Sequence, residues 1–167
     1  MNYSEKFSIF EPEKFTNFIV REENRKSIIL DSSVVFKWFY FKNEAGVETA
    51  RALYKKTVSG YFNVMAPELL FYEITNIFRY RTDINSNLLD EIFKELFQIM
   101  IFVKLDVKDY TNTYEISKKT NNSIYDSIYL SLSEKYKASF ITADRKLCES
   151  LISFNYDIIL LDDFINY

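Results

Sequence analysis

Four carboxylates stand at positions where their side chains could carry out chemistry together. Asp31 and Asp144 each follow a short apolar run, Glu73 interrupts the apolar face of a predicted helix, and Asp126 opens a largely apolar helix. Because ligands of parallel sheets bind at the carboxyl ends of the strands, we expect the four side chains to converge on one pocket. Clustered carboxylates repel one another, and a divalent cation relieves that repulsion. Such a site favours hydrolysis of a phosphodiester, because the metal activates water and stabilises the charge that develops on phosphate.

Each acid also has a purely structural explanation, which the local sequence leaves open. Asp31 could be an N-cap or turn aspartate, and Asp144 could cap the helix that follows it. Ser123 and Asp126 have the spacing of a capping box, S-x-x-D. Glu73 could form a buried salt bridge with Arg79 or Arg51, because a lone buried carboxylate is costly. Only the joint pattern of the four acids points to a functional site.

The composition excludes several kinds of catalytic site. The 167 residues include no histidine, one cysteine and two glycines. Without histidine there is no Ser-His-Asp or Cys-His site and no imidazole metal ligand, and Gly46 and Gly60 are too far apart for a phosphate-binding glycine loop. Cys148 alone cannot form an internal disulfide or a cysteine-rich zinc site, which suits a reducing compartment. Any metal must then be held by hard oxygen ligands, which favours Mg²⁺ or Mn²⁺ over Zn²⁺.

The segments that would position these acids alternate between short apolar runs and longer periodic stretches. The apolar runs predict five short strands, at 28–30, 63–66, 102–105, 139–141 and 158–161. The periodic stretches predict helices, at 44–59, 67–79, 86–100, 108–119, 123–136 and 145–152. This alternation predicts an α/β fold, a three-layer α/β/α sandwich with a central, mainly parallel sheet.

The sequence predicts one compact domain over residues 27–167, preceded by an N-terminal extension over residues 1–26. In the extension Phe15, Phe18 and Ile19 have helical spacing, so it is either an arm packed on the domain or a loosely ordered leader. No secretory signal is recognisable. No apolar run approaches the roughly 20 residues of a membrane span, so we expect a cytoplasmic protein without a membrane partner.

The four acid-bearing segments resemble, in order, the four signatures of PIN domains. These segments are Ile29-Leu30-Asp31-Ser32-Ser33-Val34, Pro67-x-x-Leu70-x-x-Glu73-x-x-Asn76, Tyr125-Asp126-x-x-Tyr129-Leu130 and Ile141-Thr142-Ala143-Asp144-x-x-Leu147. The likeness extends over about residues 27–163 and is closest to small prokaryotic PIN proteins, among them VapC-type toxins of toxin–antitoxin pairs. Two departures are Ser127, where such proteins often have alanine, and the extension before the first strand.

This resemblance implies a metal-dependent endoribonuclease, with Mg²⁺ or Mn²⁺ as its cofactor. The residues that it assigns as catalytic and metal-binding acids are Asp31, Glu73, Asp126 and Asp144. The residues that it assigns as lining the site are Ser33 and Thr142, through their hydroxyls, and Asn76, which would orient Glu73. The implied partners are an RNA substrate, an antitoxin protein and a second copy of the chain in a homodimer.

The charge of the chain is not that of a general nucleic-acid-binding protein, which usually presents a basic face. The formal net charge is −3 and the pI is near 5.2. Part of this acidity belongs to the four proposed ligands. The candidate phosphate contacts are Lys37, Arg79, Arg81, Lys118-Lys119 and Arg145-Lys146, each of which could equally be a solvated residue on a helix face.

Two alternatives from other functional classes remain open at this stage. The first is a non-catalytic PIN-like module that binds RNA or protein. The second is a phosphotransfer enzyme or receiver-like domain that uses Asp31 as nucleophile or phosphoacceptor. Asp31-Ser32-Ser33 lacks the second aspartate of a DxD phosphatase, and the helical position of Asp126 does not suit a receiver, so the second alternative is the weaker.

Overall fold

The computed structural model describes residues 25–42 and 44–166 of the chain. All but the last two residues of the predicted extension lie outside these ranges, so its predicted helical spacing and the boundary at residue 26 stay predictions. The sheet has five strands, β1 Ser27–Leu30, β2 Asn63–Pro67, β3 Ile101–Val103, β4 Ser139–Thr142 and β5 Ile158–Leu160. All neighbouring strands are parallel, in the order β3-β2-β1-β4-β5. The predicted α/β fold with a parallel sheet is confirmed.

Seven α-helices connect or follow these strands in the described residues. They are α1 Ser32–Phe39, α2 Val47–Val58, α3 Leu69–Phe78, α4 Ser86–Ile99, α5 Val107–Thr120, α6 Ile124–Tyr136 and α7 Arg145–Ser150, with a 3-10 helix at Leu161–Asn166. Helix α1 was not predicted, because it is buried on most sides and lacks a polar face. Helix α3 begins at Leu69 rather than at Pro67, which is the last residue of β2.

The alternation of side chains along the strands builds a core on each face of the sheet. In β1, Ile28 and Leu30 pack in one cluster with residues of helices α1 to α4. Ile29 points to the other face and packs with residues of helices α5, α6 and α7. Because each face of the sheet is covered by its own group of helices, the structure has the three layers that the sequence predicts.

The order of the strands creates a crevice at the carboxyl end of β1. The chain runs outward on one side of β1 through β2 and β3, then crosses to β4 and β5 on the other side. Ligands of open parallel sheets bind at such a switch point. Asp31 directly follows β1, and Asp144 follows β4 after one intervening residue, so two of the four acids lie at this crevice. No helix among the described residues is long and apolar enough to cross a membrane.

Candidate active site

Asp31 is the most buried of the four acids, and its carboxylate is held by the residues around it. It caps helix α1, and its Oδ1 accepts hydrogen bonds from the backbone N of Ser33 at 3.0 Å and of Val34 at 3.3 Å. Oδ1 also accepts a bond of 2.6 Å from the Ser33 hydroxyl, while Oδ2 accepts one from the Thr142 hydroxyl. Three donors therefore occupy Oδ1, and Oδ2 keeps spare acceptor capacity.

Burial dominates the ionisation of Asp31. It raises the pKa of this carboxyl to about 6, although the hydrogen bonds from Ser33, Thr142 and the backbone act in the opposite direction. Removal from water disfavours the charged form, and no arginine or lysine of the described residues contributes an opposing stabilisation of that form. A cation bound beside Asp31 would supply the missing positive charge.

The hydroxyls of Ser33 and Thr142 connect the ends of β1 and β4. Besides donating to Asp31, Ser33 Oγ accepts a hydrogen bond of 2.9 Å from the backbone N of Ala143. Thr142 Oγ1 accepts one of 2.9 Å from the backbone N of Asp144. The structure thus brings both hydroxyls, which the resemblance assigns to the site lining, into direct contact with Asp31.

Glu73 joins the site through a contact between helices α3 and α6. The hydroxyl of Tyr129 donates a hydrogen bond of 2.5 Å to Glu73 Oε2. Tyr129 is 2% exposed, and its ring stacks on Phe140 in β4 with a centroid distance of 5.6 Å. Glu73 is therefore bound by the hydroxyl of Tyr129 and not by Arg51, one of the arginines that the sequence offered as a salt-bridge partner. Arg51 pairs with Glu48 instead.

The electrostatics of Glu73 show that three of the acids share one neighbourhood. Burial raises the pKa of Glu73, and hydrogen bonds from Tyr129 and Ser32 act in the opposite direction. The negative charges of Asp31 and Asp126 raise it further. Because like charges disfavour ionisation only at short range, Glu73 lies close enough to Asp31 and to Asp126 for each of them to repel its charged form.

Asp126 and Asp144 have the capping roles that the sequence left open. Ser123 caps helix α6 by accepting a bond of 3.1 Å from the backbone N of Asp126, and its hydroxyl donates to Asp126 Oδ2 at 2.6 Å. Asp144 caps α7, with Oδ1 accepting from the backbone N of Lys146 and of Leu147. Within the described part of the chain, Asp126 Oδ1 and Asp144 Oδ2 have no hydrogen-bond donor, so capping uses only one oxygen of each carboxylate.

Asn76 lies one helical turn after Glu73, on an exposed part of α3. It lines a shallow cavity with Tyr72 and Arg79, and the described residues show no hydrogen bond between it and Glu73. The proposed orienting role of Asn76 stays a prediction.

Several of the candidate phosphate contacts are engaged within the protein. Lys37 is buried in α1, and its Nζ lies 2.8 Å from Glu44 Oε2. Arg81 lies 3.8 Å from the same carboxylate, and Arg145 lies 3.2 Å from Asp162. The buried Lys37 is therefore not exposed to bind a phosphate.

Two residues that contact Glu73 were assigned no site role from the sequence. Tyr129 was noted only as part of a family signature, and Ser32 was not assigned a role. Tyr129 lies three residues after Asp126, on a helix with buried apolar neighbours, and its hydroxyl needs a polar partner there. The sequence could therefore have indicated that the Tyr129 hydroxyl has a polar partner. The identity of that partner depends on the packing of α6 against α3.

The donor set fits a hard divalent cation in its chemistry, because every candidate ligand is a carboxylate oxygen. Asp31 Oδ2, Asp126 Oδ1 and Asp144 Oδ2 keep acceptor capacity after the internal hydrogen bonds are counted. Among residues 25–42 and 44–166, however, no three acidic, cysteine or histidine side chains are close enough to hold a metal ion. The acids share an electrostatic neighbourhood without forming a closed coordination shell.

Comparison with known proteins identifies the fold and the family. The sequence model of the PIN domain matches residues 28–150. The VapC20 toxin of Mycobacterium tuberculosis, described as cleaving the sarcin–ricin loop, superposes with a TM-score of 0.59 at 12% identity, covering 74% of this chain and 94% of that one. PAE2754 of Pyrobaculum aerophilum also gives 0.59, at 13% identity over 84% and 94% of the two chains. A toxin–antitoxin complex of Klebsiella pneumoniae gives 0.58, at 7% identity over 80% and 97%. No curated protein matches the sequence significantly.

Proposed function

The chain belongs to the PIN domain family, and on that premise we propose that it is a metal-dependent endoribonuclease. It hydrolyses RNA phosphodiester bonds at the site that contains Asp31, Glu73, Asp126 and Asp144. The observation that carries the proposal is the pair of Asp31 and Glu73 at the carboxyl edge of the sheet. Both carboxylates are buried or half-buried, both have raised pKa values, and neither has a basic partner among the residues that the structure describes. Burying such groups is costly unless they serve a bound cation or a reaction.

The residues that would hold Mg²⁺ or Mn²⁺ are the four acids. Asp31 and Asp126 are the proposed principal ligands, and Glu73 and Asp144 complete the set or orient the attacking water. When bound, the metal lowers the pKa of a water molecule and stabilises the negative charge that develops on the phosphate. The protein supplies the fixed orientation of the ligands, through the cap contacts of Asp31 and the hydroxyls of Ser33 and Thr142.

Glu73 has a second task in this proposal, which is to position water at the scissile phosphate. Tyr129 binds one of its carboxylate oxygens, so the torsional freedom of the side chain is reduced. A carboxylate whose pKa lies above its ordinary range is also a better acceptor of the proton that water loses. The hydroxyl of Tyr129 therefore favours one orientation of the Glu73 side chain, while burial and the nearby acids keep the pKa of its carboxyl raised.

Cleavage of a fluorescently labelled single-stranded RNA by the purified full chain tests the proposal. We expect cleavage in Mg²⁺, none in excess EDTA, and a loss of at least about 100-fold in Asp31→Asn and Asp126→Asn. The matched control is Asp90→Asn, which changes an exposed aspartate on α4 that pairs with Lys94. Its rate should stay within about twofold of the wild type, since surface pairs contribute little.

Two results would contradict the proposal. Cleavage that persists in EDTA and survives both site substitutions would identify a contaminant or a different site. Absence of cleavage together with absence of Mn²⁺ binding in a calorimetric titration would favour the non-catalytic module instead.

We further propose that the chain is the toxin of a type II toxin–antitoxin pair and that it forms a homodimer in the cell. The likeness of its fold to VapC20 and to a toxin–antitoxin complex supports this proposal. Induced expression in a bacterial host should arrest growth with the wild type and not with Asp31→Asn. Co-expression of a small protein encoded beside the gene should restore growth. Wild-type expression without growth arrest, combined with cleavage in vitro, would indicate a PIN nuclease of another kind.

A further inference from the structure

A cavity lies beside the acids, at the carboxyl ends of β2 and β3. It has a volume of about 280 Å³ and is lined in part by Glu68, Leu69, Tyr72, Lys104, Tyr110 and Ile128. We propose that this cavity binds one unpaired nucleobase of an RNA strand, with Tyr72 and Tyr110 as stacking surfaces, Lys104 as a phosphate contact and Glu68 as a hydrogen-bond acceptor. This inference rests on the proposed function, whose substrate it specifies.

The cavity lies near the candidate active site, because helices α3 and α6 contribute residues to both. Leu69 precedes Glu73 by four residues on α3, so the two side chains are neighbours on one helix face. Ile128 precedes Tyr129, whose hydroxyl binds Glu73, and follows Asp126 by two residues on α6. A base in the cavity would therefore belong to a nucleotide next to the phosphate that faces the acids.

The two tyrosines of the cavity are both largely exposed to solvent. Tyr72 is 75% exposed and Tyr110 is 57% exposed, and they belong to different helices, α3 and α5. Neither ring is paired with another aromatic side chain of the described residues, whereas the buried ring of Tyr129 stacks on Phe140. Aromatic side chains in such positions are the surfaces on which proteins stack unpaired bases.

The charged groups at the cavity match the remaining parts of a nucleotide. Lys104 is exposed and has no ion-pair partner among the residues that the structure describes, so its ammonium is free to contact a phosphate. Glu68 stands at the N-cap position of α3 without a side-chain capping bond. An ionised carboxylate only accepts hydrogen bonds, which favours the exocyclic amino groups of cytosine, adenine or guanine over the exocyclic carbonyls of uracil.

The size of the cavity suits a ligand as small as a single base. Its volume falls slightly below the roughly 300–1,000 Å³ of pockets for small drug-like molecules. A base inside a duplex could not enter it without unpairing, so the proposal predicts a preference for single-stranded or looped RNA.

Binding of labelled hexanucleotides to the full chain in EDTA, followed by fluorescence anisotropy, tests this inference. We expect Tyr72→Leu and Tyr110→Leu to weaken binding of the cytidine hexamer at least about fivefold, since stacking on one aromatic ring contributes strongly to affinity. Tyr72→Phe and Tyr110→Phe should bind like the wild type. Lys104→Gln should weaken binding of all hexamers by a similar factor and reduce its salt dependence.

The matched controls change exposed residues away from the carboxyl ends of the strands, where the cavity lies. Tyr61 is 60% exposed and precedes β2, and Lys55 is exposed near the end of α2. Tyr61→Leu and Lys55→Gln should leave the affinity within twofold of the wild type. Equal weakening by these controls would show that the tyrosines and lysine of the cavity have no special role, which would overturn the proposal.

The comparison between hexamers tests the role of Glu68. The wild type should bind the uridine hexamer several-fold more weakly than the cytidine hexamer, and Glu68→Gln should reduce that difference. Unchanged affinity in both leucine variants would overturn the proposal and leave a protein partner as the occupant of the cavity.

A failure of the base-binding proposal can be told from a failure of the nuclease proposal, because binding is measured without metal and cleavage with metal. Tyrosine-dependent binding without cleavage in Mg²⁺ would support the base site and contradict the nuclease. Cleavage with an unchanged KM in both leucine variants would support the nuclease and contradict the base site.

Discussion

The Tyr129 hydroxyl and the Glu73 carboxylate join helices α6 and α3 at the carboxyl edge of the sheet, through a hydrogen bond of 2.5 Å. Tyr129 cannot move freely, because its ring is buried and stacked on Phe140. A rigid donor restricts the carboxylate it binds, so Tyr129 is a positioning residue for Glu73. The substitution Tyr129→Phe isolates this effect, since phenylalanine keeps the ring and removes only the donor.

We expect Tyr129→Phe to fold and to lower the affinity for Mn²⁺ by about 10-fold, as loss of a partner of a metal ligand commonly does. In cleavage assays kcat should fall while KM for RNA stays the same, because the hydroxyl does not contact the substrate. Calorimetric titration with Mn²⁺ and steady-state kinetics measure these two effects.

The chain offers a closely matched control for this substitution. The hydroxyl of Tyr54 also donates to a glutamate, Glu95, but this pair joins α2 to α4 away from the acids. Tyr54→Phe should change stability alone, leaving Mn²⁺ affinity and kcat unchanged. Equal loss of metal affinity in both variants would assign the effect of Tyr129 to general destabilisation.

The buried carboxyl of Asp31 should give the metal-free protein an unusual dependence of stability on pH. Its pKa is about 6 in the folded protein, whereas an aspartate in the unfolded chain keeps the ordinary value of 3.8. The folded state therefore binds more protons between these values, and the free energy of unfolding falls as the pH rises through this window, by up to about 3 kcal/mol. In Asp31→Asn this contribution should be absent.

Chemical denaturation in EDTA at pH 5 and pH 8 measures this difference. Asp31→Asn should be more stable than the wild type at pH 8, and the difference should shrink at lower pH. Addition of Mn²⁺ should stabilise the wild type and leave the variant unchanged, because only a protein that binds the ion is stabilised by it. A variant that is less stable than the wild type at pH 8 in EDTA would contradict the assignment.

Thr142 should be essential to the geometry of Asp31. Its buried hydroxyl donates to Asp31 and accepts from the backbone N of Asp144, so Thr142→Val leaves two polar groups without a partner. We expect the free energy of unfolding to fall by about 1–3 kcal/mol and RNA cleavage to fall at least about 10-fold. Thr120→Val removes another buried threonine hydroxyl, which donates to the carbonyl of Ile116, and should leave cleavage unchanged.

Substitution of Lys37 should affect stability alone, and substitution of Lys104 should affect RNA binding alone. Lys37 is buried beside Glu44, whereas Lys104 is exposed at the cavity. Lys37→Gln should lower the free energy of unfolding by about 1–3 kcal/mol and leave RNA affinity unchanged, because it breaks a charged hydrogen bond inside the protein. Lys104→Gln should leave stability unchanged and weaken RNA binding. A loss of RNA affinity in Lys37→Gln without a loss of stability would contradict this division.

Most of the fold was predictable because its strands and most of its helices have local signals. The apolar runs before Asp31 and near Asp144 mark strands of a buried sheet, and both acids lie at the carboxyl ends as predicted. Helix α1 lacked such a signal, because it is buried on most sides and contains the buried Lys37. A pattern based on polar and apolar faces cannot identify a helix without a polar face.

In the candidate site too, contacts between residues close in sequence were predictable, and contacts that depend on tertiary packing were not. The capping contacts of Asp126 and Asp144 follow from residues within three positions in sequence. The contact of Tyr129 with Glu73 joins residues 56 positions apart, and that of Thr142 with Asp31 joins residues 111 positions apart. Their partners depend on the packing of the helices and on the order of the strands, which single-sequence patterns do not specify.

The most direct test of the account is a crystal structure of the full chain soaked in MnCl₂, with anomalous scattering measured at the manganese edge. We expect an anomalous peak bound by Asp31 and Asp126 and adjacent to Glu73, at roughly the 2.0–2.6 Å distances of hard cations from oxygen. The same soak of Asp31→Asn should show no peak there. A wild-type crystal without a peak at these acids, at a Mn²⁺ concentration that supports RNA cleavage, would contradict the metal-binding role of the site.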